Sequence, residues 1–193
     1  TAAFVASFVV NSKFGLDRGF DTYDDYDVPE GPDVYDENMM YKYRRGDKVA
    51  DAALAWLKQH GQKRFFCWVH FYDPHTPYAP PPPYDERFAD RPYDGEIAFT
   101  DAQLGRVLEG LRAEGLEDDT LVVVLSDHGE SLGQHNEASH AILIYQATLR
   151  IPFILAGPGI PAGRTVTPWV GTTDVLPTLL GWAGHENQWR GNY

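Results

Sequence analysis

Two hydrophobic rhythms run along the chain, and each stretch follows one or the other. An apolar stretch from Ala3 to Val10 predicts a short strand leading into a loop. Val49, Ala52, Ala53, Trp56 and Leu57 recur at helical spacing, and Gly61 closes that helix. Phe65 to Phe71 is a continuous aromatic-rich run, which suits a strand buried on both faces. Ile97, Leu104, Val107, Leu108 and Leu111 form a second helical stripe ending near Gly115. Leu121 to Leu125 reads as another doubly buried strand. Ile151 to Leu155 is a third apolar run, followed by the turn Gly157-Pro158-Gly159. A last helix is predicted from Thr172 or Thr173, with Pro177 tolerated near its first turn. Strand, helix, strand with fully apolar strands is the signature of a parallel crossover unit, so the fold class is α/β. No internal repeat is present.

Polar and proline-rich stretches fill the gaps. From Asp17 to Glu37, nine acidic side chains stand against a single base, Arg18. The spacing does not fit a calcium-binding EF-hand loop, so the segment reads as a solvated loop pinned by Phe20, Tyr23 and Tyr26. Asp73-Pro74-His75-Thr76-Pro77-Tyr78 and then Pro80 to Pro83 are too rich in proline for helix or sheet, which predicts an ordered extended loop.

At 193 residues the chain corresponds to one domain or slightly more, long enough for a core that needs no disulfide or structural metal. No run approaches the length of a membrane span. The N-terminus shows no basic region followed by a hydrophobic stretch, so no signal peptide is expected. One cysteine, Cys67, excludes an internal disulfide and a Cys-rich zinc site. Sixteen basic residues against 28 acidic ones give a net charge of −12, which argues against nucleic acid as a partner. An acidic protein that handles an anion must reverse its field locally, and a bound cation does that.

Ligands of open α/β sheets bind at the carboxyl ends of the strands. Two strands here end in unusual loops. Ser126-Asp127-His128-Gly129-Glu130 follows one, and the loop carrying His75 follows the other. Asp127 beside His128 offers a carboxylate and an imidazole, a mixed set suited to a divalent cation. The alternative is that Asp127 caps a helix and His128 lies on the surface. Gly129 is expected to let the backbone turn sharply. His128, His135 and His140 fit no compact zinc motif, so any shared role needs a loop folded around a site. His135 reads as structural, His70 as a hydrogen-bonded core residue, and His60 and His185 as exposed.

These segments together resemble a family. Ser126 to His135, SDHGESLGQH, is similar to the sulfatase motif of the alkaline phosphatase superfamily. Asp73 to Tyr78 resembles the histidine-proline loop of the same enzymes. Tyr145 to Leu155, Gly157 to Gly159 and Thr173 to Leu180 follow in the expected order, and Gly15 to Asp21 fits upstream. The resemblance implies an alkaline phosphatase-like sulfatase fold, a mostly parallel central sheet flanked by helices, with residues 1–193 part of a single catalytic domain. It implies cleavage of small-molecule or glycan sulfate esters through a formylglycine nucleophile, with one divalent ion, most commonly Ca2+ and alternatively Mn2+. Asp127 and His128 match the later half of the metal site. His75 matches the histidine that contacts the sulfate group and the leaving oxygen. His140 falls where many relatives place a lysine with the same task, and it supplies positive charge only when protonated.

The departures are as definite as the matches. Cys67 lacks the proline and arginine of the nucleophile motif, and the paired aspartates expected near a sulfatase N-terminus are missing. The chain therefore reads as the middle and later part of a catalytic domain. Two alternatives stand beside the sulfatase reading: phosphonate monoester or phosphodiester hydrolysis within the same superfamily, and a non-catalytic sulfatase-like binding protein.

Overall fold

In a computed structural model, residues 1–25 and 43–185 are described. The chain divides into two compact units, Thr1–Thr120 and Leu121–Tyr193.

The first unit is built on a three-stranded parallel sheet of order β2-β1-β3, with β1 at Ala2–Phe4, β2 at Thr22–Asp24 and β3 at Cys67–Val69. Ala3 lies opposite Tyr23 on one side and Trp68 on the other. Helix α1, Gly46–His60, buries Val49, Ala53 and Leu57, spaced four apart, and Val49 and Ala53 pack into the core of this sheet. Ala2, Phe4 and Ala6 complete the core, with Trp56, Val69 and Phe71 packed around it. Helix α2 is the single turn Tyr84–Arg87. Helix α3, Pro92–Ala113, starts with proline in its first turn, where the missing N–H costs nothing. It buries Phe99, Gln103, Val107 and Leu111 along one stripe. A Cβ on Gly110 would strike the Leu54 side chain, so the glycine lets α1 and α3 approach closely.

The second unit pairs β4, Val122–Leu125, with β5, Phe153–Ala156, in antiparallel register, Val123 opposite Leu155. Between them lie a long loop and helix α4, Gln146–Leu149. Helix α5, Val175–Trp182, follows a 3-10 turn at Thr172–Asp174, and Pro177 sits in its first turn as expected. The Trp182 indole donates to the Pro158 carbonyl at 3.0 Å, tying α5 to the Gly157-Pro158-Gly159 turn.

The helices match the sequence pattern, whereas the strands correct it in three places. The strand expected over Ala3 to Val10 ends at Phe4, and Phe8–Val10 is a 3-10 turn. The Asn11 side chain accepts from Lys13 N at 3.1 Å and starts a second turn, which diverts the backbone from the sheet. The doubly buried strand at Phe65 to Phe71 is three residues long and half-buried. Helix α1 covers one face, and the Phe20 ring lies 6.4 Å from Trp68 on the other. Leu121 to Leu125 is not a doubly buried strand of a parallel crossover, since its described partner is antiparallel and Leu125 is exposed.

Part of the acidic loop is described. The Tyr23 hydroxyl donates to the Val10 carbonyl at 2.6 Å, and its ring meets Phe20 edge-on. Asp25 accepts from Ser12 N at 2.8 Å, and Asp24 pairs with Arg44 at 2.7 Å. Tyr26 lies outside the described residues.

Candidate functional site

The second unit gathers three of the four predicted site residues on the loop after β4. Ser126 Oγ donates to the His128 carbonyl at 2.6 Å, which turns the chain out of the strand. Gly129 N then donates to the Thr148 carbonyl at 2.8 Å. A Cβ on Gly129 would run into the Ala147 carbonyl oxygen. The glycine is thus required by close backbone approach rather than by a sharp turn of its own.

Asp127 is exposed, and its Oδ1 accepts from His128 N at 3.0 Å. The His128 Nδ1 lies 2.9 Å from the Gly129 carbonyl, which can only accept, so Nδ1 carries the proton. In the neutral tautomer this leaves a lone pair on Nε2, which lies 3.7 Å from Asp127 Oδ2. A lone pair and a carboxylate oxygen are donors of the kind that can ligate a divalent cation. Among the described residues, no three His, Cys, Asp or Glu side chains converge as a set that could hold a metal ion.

His140 packs its ring 4.0 Å from that of His128. Its Nδ1 lies 3.1 Å from Oε2 of Glu130, whose side chain is 5% exposed. Ser139 Oγ donates to the same oxygen at 3.3 Å. A carboxylate accepts only, so this pair places a proton on His140 Nδ1. The loop between is drawn together by Glu137, which accepts from Ile142 N at 2.9 Å, Leu143 N at 3.1 Å and Ser131 Oγ at 3.2 Å. The Ile142 amide leads in holding its carboxyl below the usual glutamate range. His135 takes a structural place, exposed and stacked 3.7 Å from Tyr145.

In the first unit, His75 follows β3 on the proline-rich loop. Its ring stacks 4.2 Å from Tyr72, and Nδ1 donates to the Thr76 carbonyl at 2.7 Å. Glu96 of α3 accepts from the backbone of His75 and Ala79. Burial pushes the Glu96 carboxyl up to about 7 and raises that of Asp73. His70 is the hydrogen-bonded residue expected, with Nδ1 accepting from Ala6 N at 3.2 Å. His60 is exposed but stacks on Trp56, 5.0 Å between centroids. Burial pushes the Cys67 thiol up to about 11, away from reactive thiolate character.

Glu130, Glu137 and Glu96 are the residues the sequence did not single out. Glu130 had a signal, being two residues beyond His128 in the same motif. The other two are glutamates whose burial no spacing reveals.

The Sulfatase family profile matches residues 3–185. Arylsulfatase K of Bos taurus is 38% identical over 92 residues, 48% of this chain and 17% of the relative. The choline-sulfatase of Rhizobium meliloti is 35% identical over 98 residues, 51% of this chain and 19% of the relative. The matched stretches thus span less than a fifth of those relatives' length. A crystal structure from Bacteroides fragilis, assigned as the sulfatase yidJ, superposes with a TM-score of 0.68 at 28% identity. That superposition covers 76% of this chain and 38% of the other. The fold is therefore the alkaline phosphatase-like one, α/β with a parallel sheet flanked by helices, and the chain belongs to the sulfatase family.

Proposed function

We propose that this chain contributes to the active site of a metal-dependent sulfuric ester hydrolase. Asp127 and His128 hold the divalent ion, calcium in the first instance and manganese as the alternative. The family resemblance assigns His75 and His140 to contact with the sulfate group and the leaving oxygen. The observation that carries this reading is the 3.7 Å approach of His128 Nε2 to Asp127 Oδ2, with Nδ1 bonded away to a carbonyl. The donor set fits a divalent cation, since both atoms present electron pairs.

The ion, when bound, supplies positive charge that polarises the sulfate oxygens within a chain of net charge −12. The chain's own groups do the rest. Glu130 fixes the His140 ring through Nδ1, so that Nε2 is the atom that exchanges a proton with the ester. General acid or base assistance of this kind contributes about 10²–10⁴-fold. The expected nucleophile is a formylglycine hydrate, and its motif does not occur in these residues. Cys67, desolvated beside α1, is not that nucleophile. Relatives named arylsulfatase and choline-sulfatase support a sulfate ester as substrate.

The test is Asp127→Ala in the full-length protein. Chelator-sensitive hydrolysis of an aryl sulfate falls by at least about 10²-fold, as for loss of a ligand-shell group. Undiminished turnover overturns the metal assignment. An imidazole in the metal pair also suits phosphonate monoester or phosphodiester hydrolysis. Preference for either of those esters in the same assay would replace the sulfate reading.

A further inference from the structure

One side chain fastens the His75 loop at two points. Glu96 lies in α3 and is wholly buried, with 0% exposure. Its Oε2 accepts from His75 N at 3.0 Å and its Oε1 from Ala79 N at 2.7 Å. The start of the loop is anchored separately. Asp73 Oδ2 accepts from Gly46 N, the first residue of α1, at 3.2 Å. Thr100 Oγ1, one turn along α3 from Glu96, donates to the Asp73 carbonyl at 3.1 Å. Gly95 makes the approach feasible, because a Cβ there would lie 2.8 Å from Pro80 Cγ.

A carboxylate in the second turn of a helix and sealed from water is unfavourable unless its oxygens are bonded. An apolar residue would fill the same place without that cost, so the two amides account for a glutamate here. The match is also specific to a carboxyl group. Two backbone donors need two acceptor oxygens, and a glutamine offers one oxygen and an NH2 that would face an N–H.

We propose that Glu96 is the positioning residue for His75, clasping residues 75 and 79 so that the imidazole is held in one place for the ester. This rests on the reading of His75 as a sulfate-contacting group. Glu96 touches no substrate and acts through the backbone of the loop.

Hydrogen exchange and kinetics on the full-length protein test it. In the wild type, the His75 and Ala79 amides exchange at least about 100-fold more slowly than an unstructured chain, as bonded buried amides do. Glu96→Gln speeds exchange in this segment and lowers kcat for an aryl sulfate by about 10- to 100-fold, with KM within about twofold. In a His75→Ala background the same substitution lowers kcat no further, because the two act as one unit. Unprotected amides in the wild type overturn the clasp, and that measurement needs no variant to fold. An undiminished effect of Glu96→Gln in the His75→Ala background overturns the positioning role. Absence of any sulfate ester turnover in the wild type sinks the hydrolase reading instead, and the exchange rates still decide the clasp.

Discussion

Glu96 and Glu137 each accept from two backbone amides, yet their carboxyls move in opposite directions. At Glu96 loss of water outweighs the hydrogen bonds, and the carboxyl rises to about 7. Asp73, itself raised by burial, adds a like charge, and the Tyr43 phenol lies in the field of both. At Glu137 the bonds prevail, with the Ser131 hydroxyl as a third donor. The signs for stability follow. Protonated Glu96 favours the fold, an effect fully present below its ordinary value of 4.5 and lost as pH rises through about 7. Ionised Glu137 favours the fold above 4.5, and that contribution is lost as pH falls through its depressed folded value. Glu96→Gln should therefore flatten the decline in stability between pH 4.5 and 7, by on the order of 3 kcal/mol. Urea midpoints at the two ends of that window check it, and an unchanged slope would show that another group carries the titration.

At the level of elements, Gly129 joins the turn after β4 to the backbone of α4. Gly129→Ala forces a methyl against a carbonyl that cannot swing aside, and should cost about 1–3 kcal/mol in a denaturant titration. Gly110→Ala meets only the tip of Leu54, a side chain that can rotate, so its cost should be the smaller of the two. The helices were legible because Val49, Ala52, Ala53, Trp56 and Leu57 fall at i, i+3, i+4, i+7 and i+8, which share one face of a helix and both faces of a strand. Strand pairing was not. Five apolar residues from Leu121 to Leu125 carry no mark of direction, and the antiparallel partner arrives some thirty residues later. The site was half legible for a related reason. Asp127 and His128 are neighbours in the chain, so their meeting needed no fold. His140 reaches His128 only because Glu137 gathers the loop between them, and Glu130 becomes notable only once its side chain is seen to be buried.

For the molecule as a whole, charge and ligand count set the limits. If the proposed function holds, a net charge of −12 repels a sulfate ester unless a cation intervenes, so substrate handling and metal binding would be one problem. Calcium takes six to eight oxygen ligands, far more than Asp127 and His128 provide. These 193 residues alone should show no calcium binding tighter than about 10⁻⁴ M by calorimetry, and no turnover of an aryl sulfate. Submicromolar affinity or steady turnover would mean that the chain completes its own site.

Cys67 gives the parallel sheet a built-in stopwatch. It is the single thiol of the sequence, in the strand paired to β1, and with a pKa of about 11 it stays protonated near neutrality. The thiol is half-buried, so a disulfide reagent reacts slowly while the sheet is closed and faster once β3 has parted from its neighbours. The rise in labelling rate under mild denaturant then reports the opening of that sheet, with no competing cysteine to blur the signal.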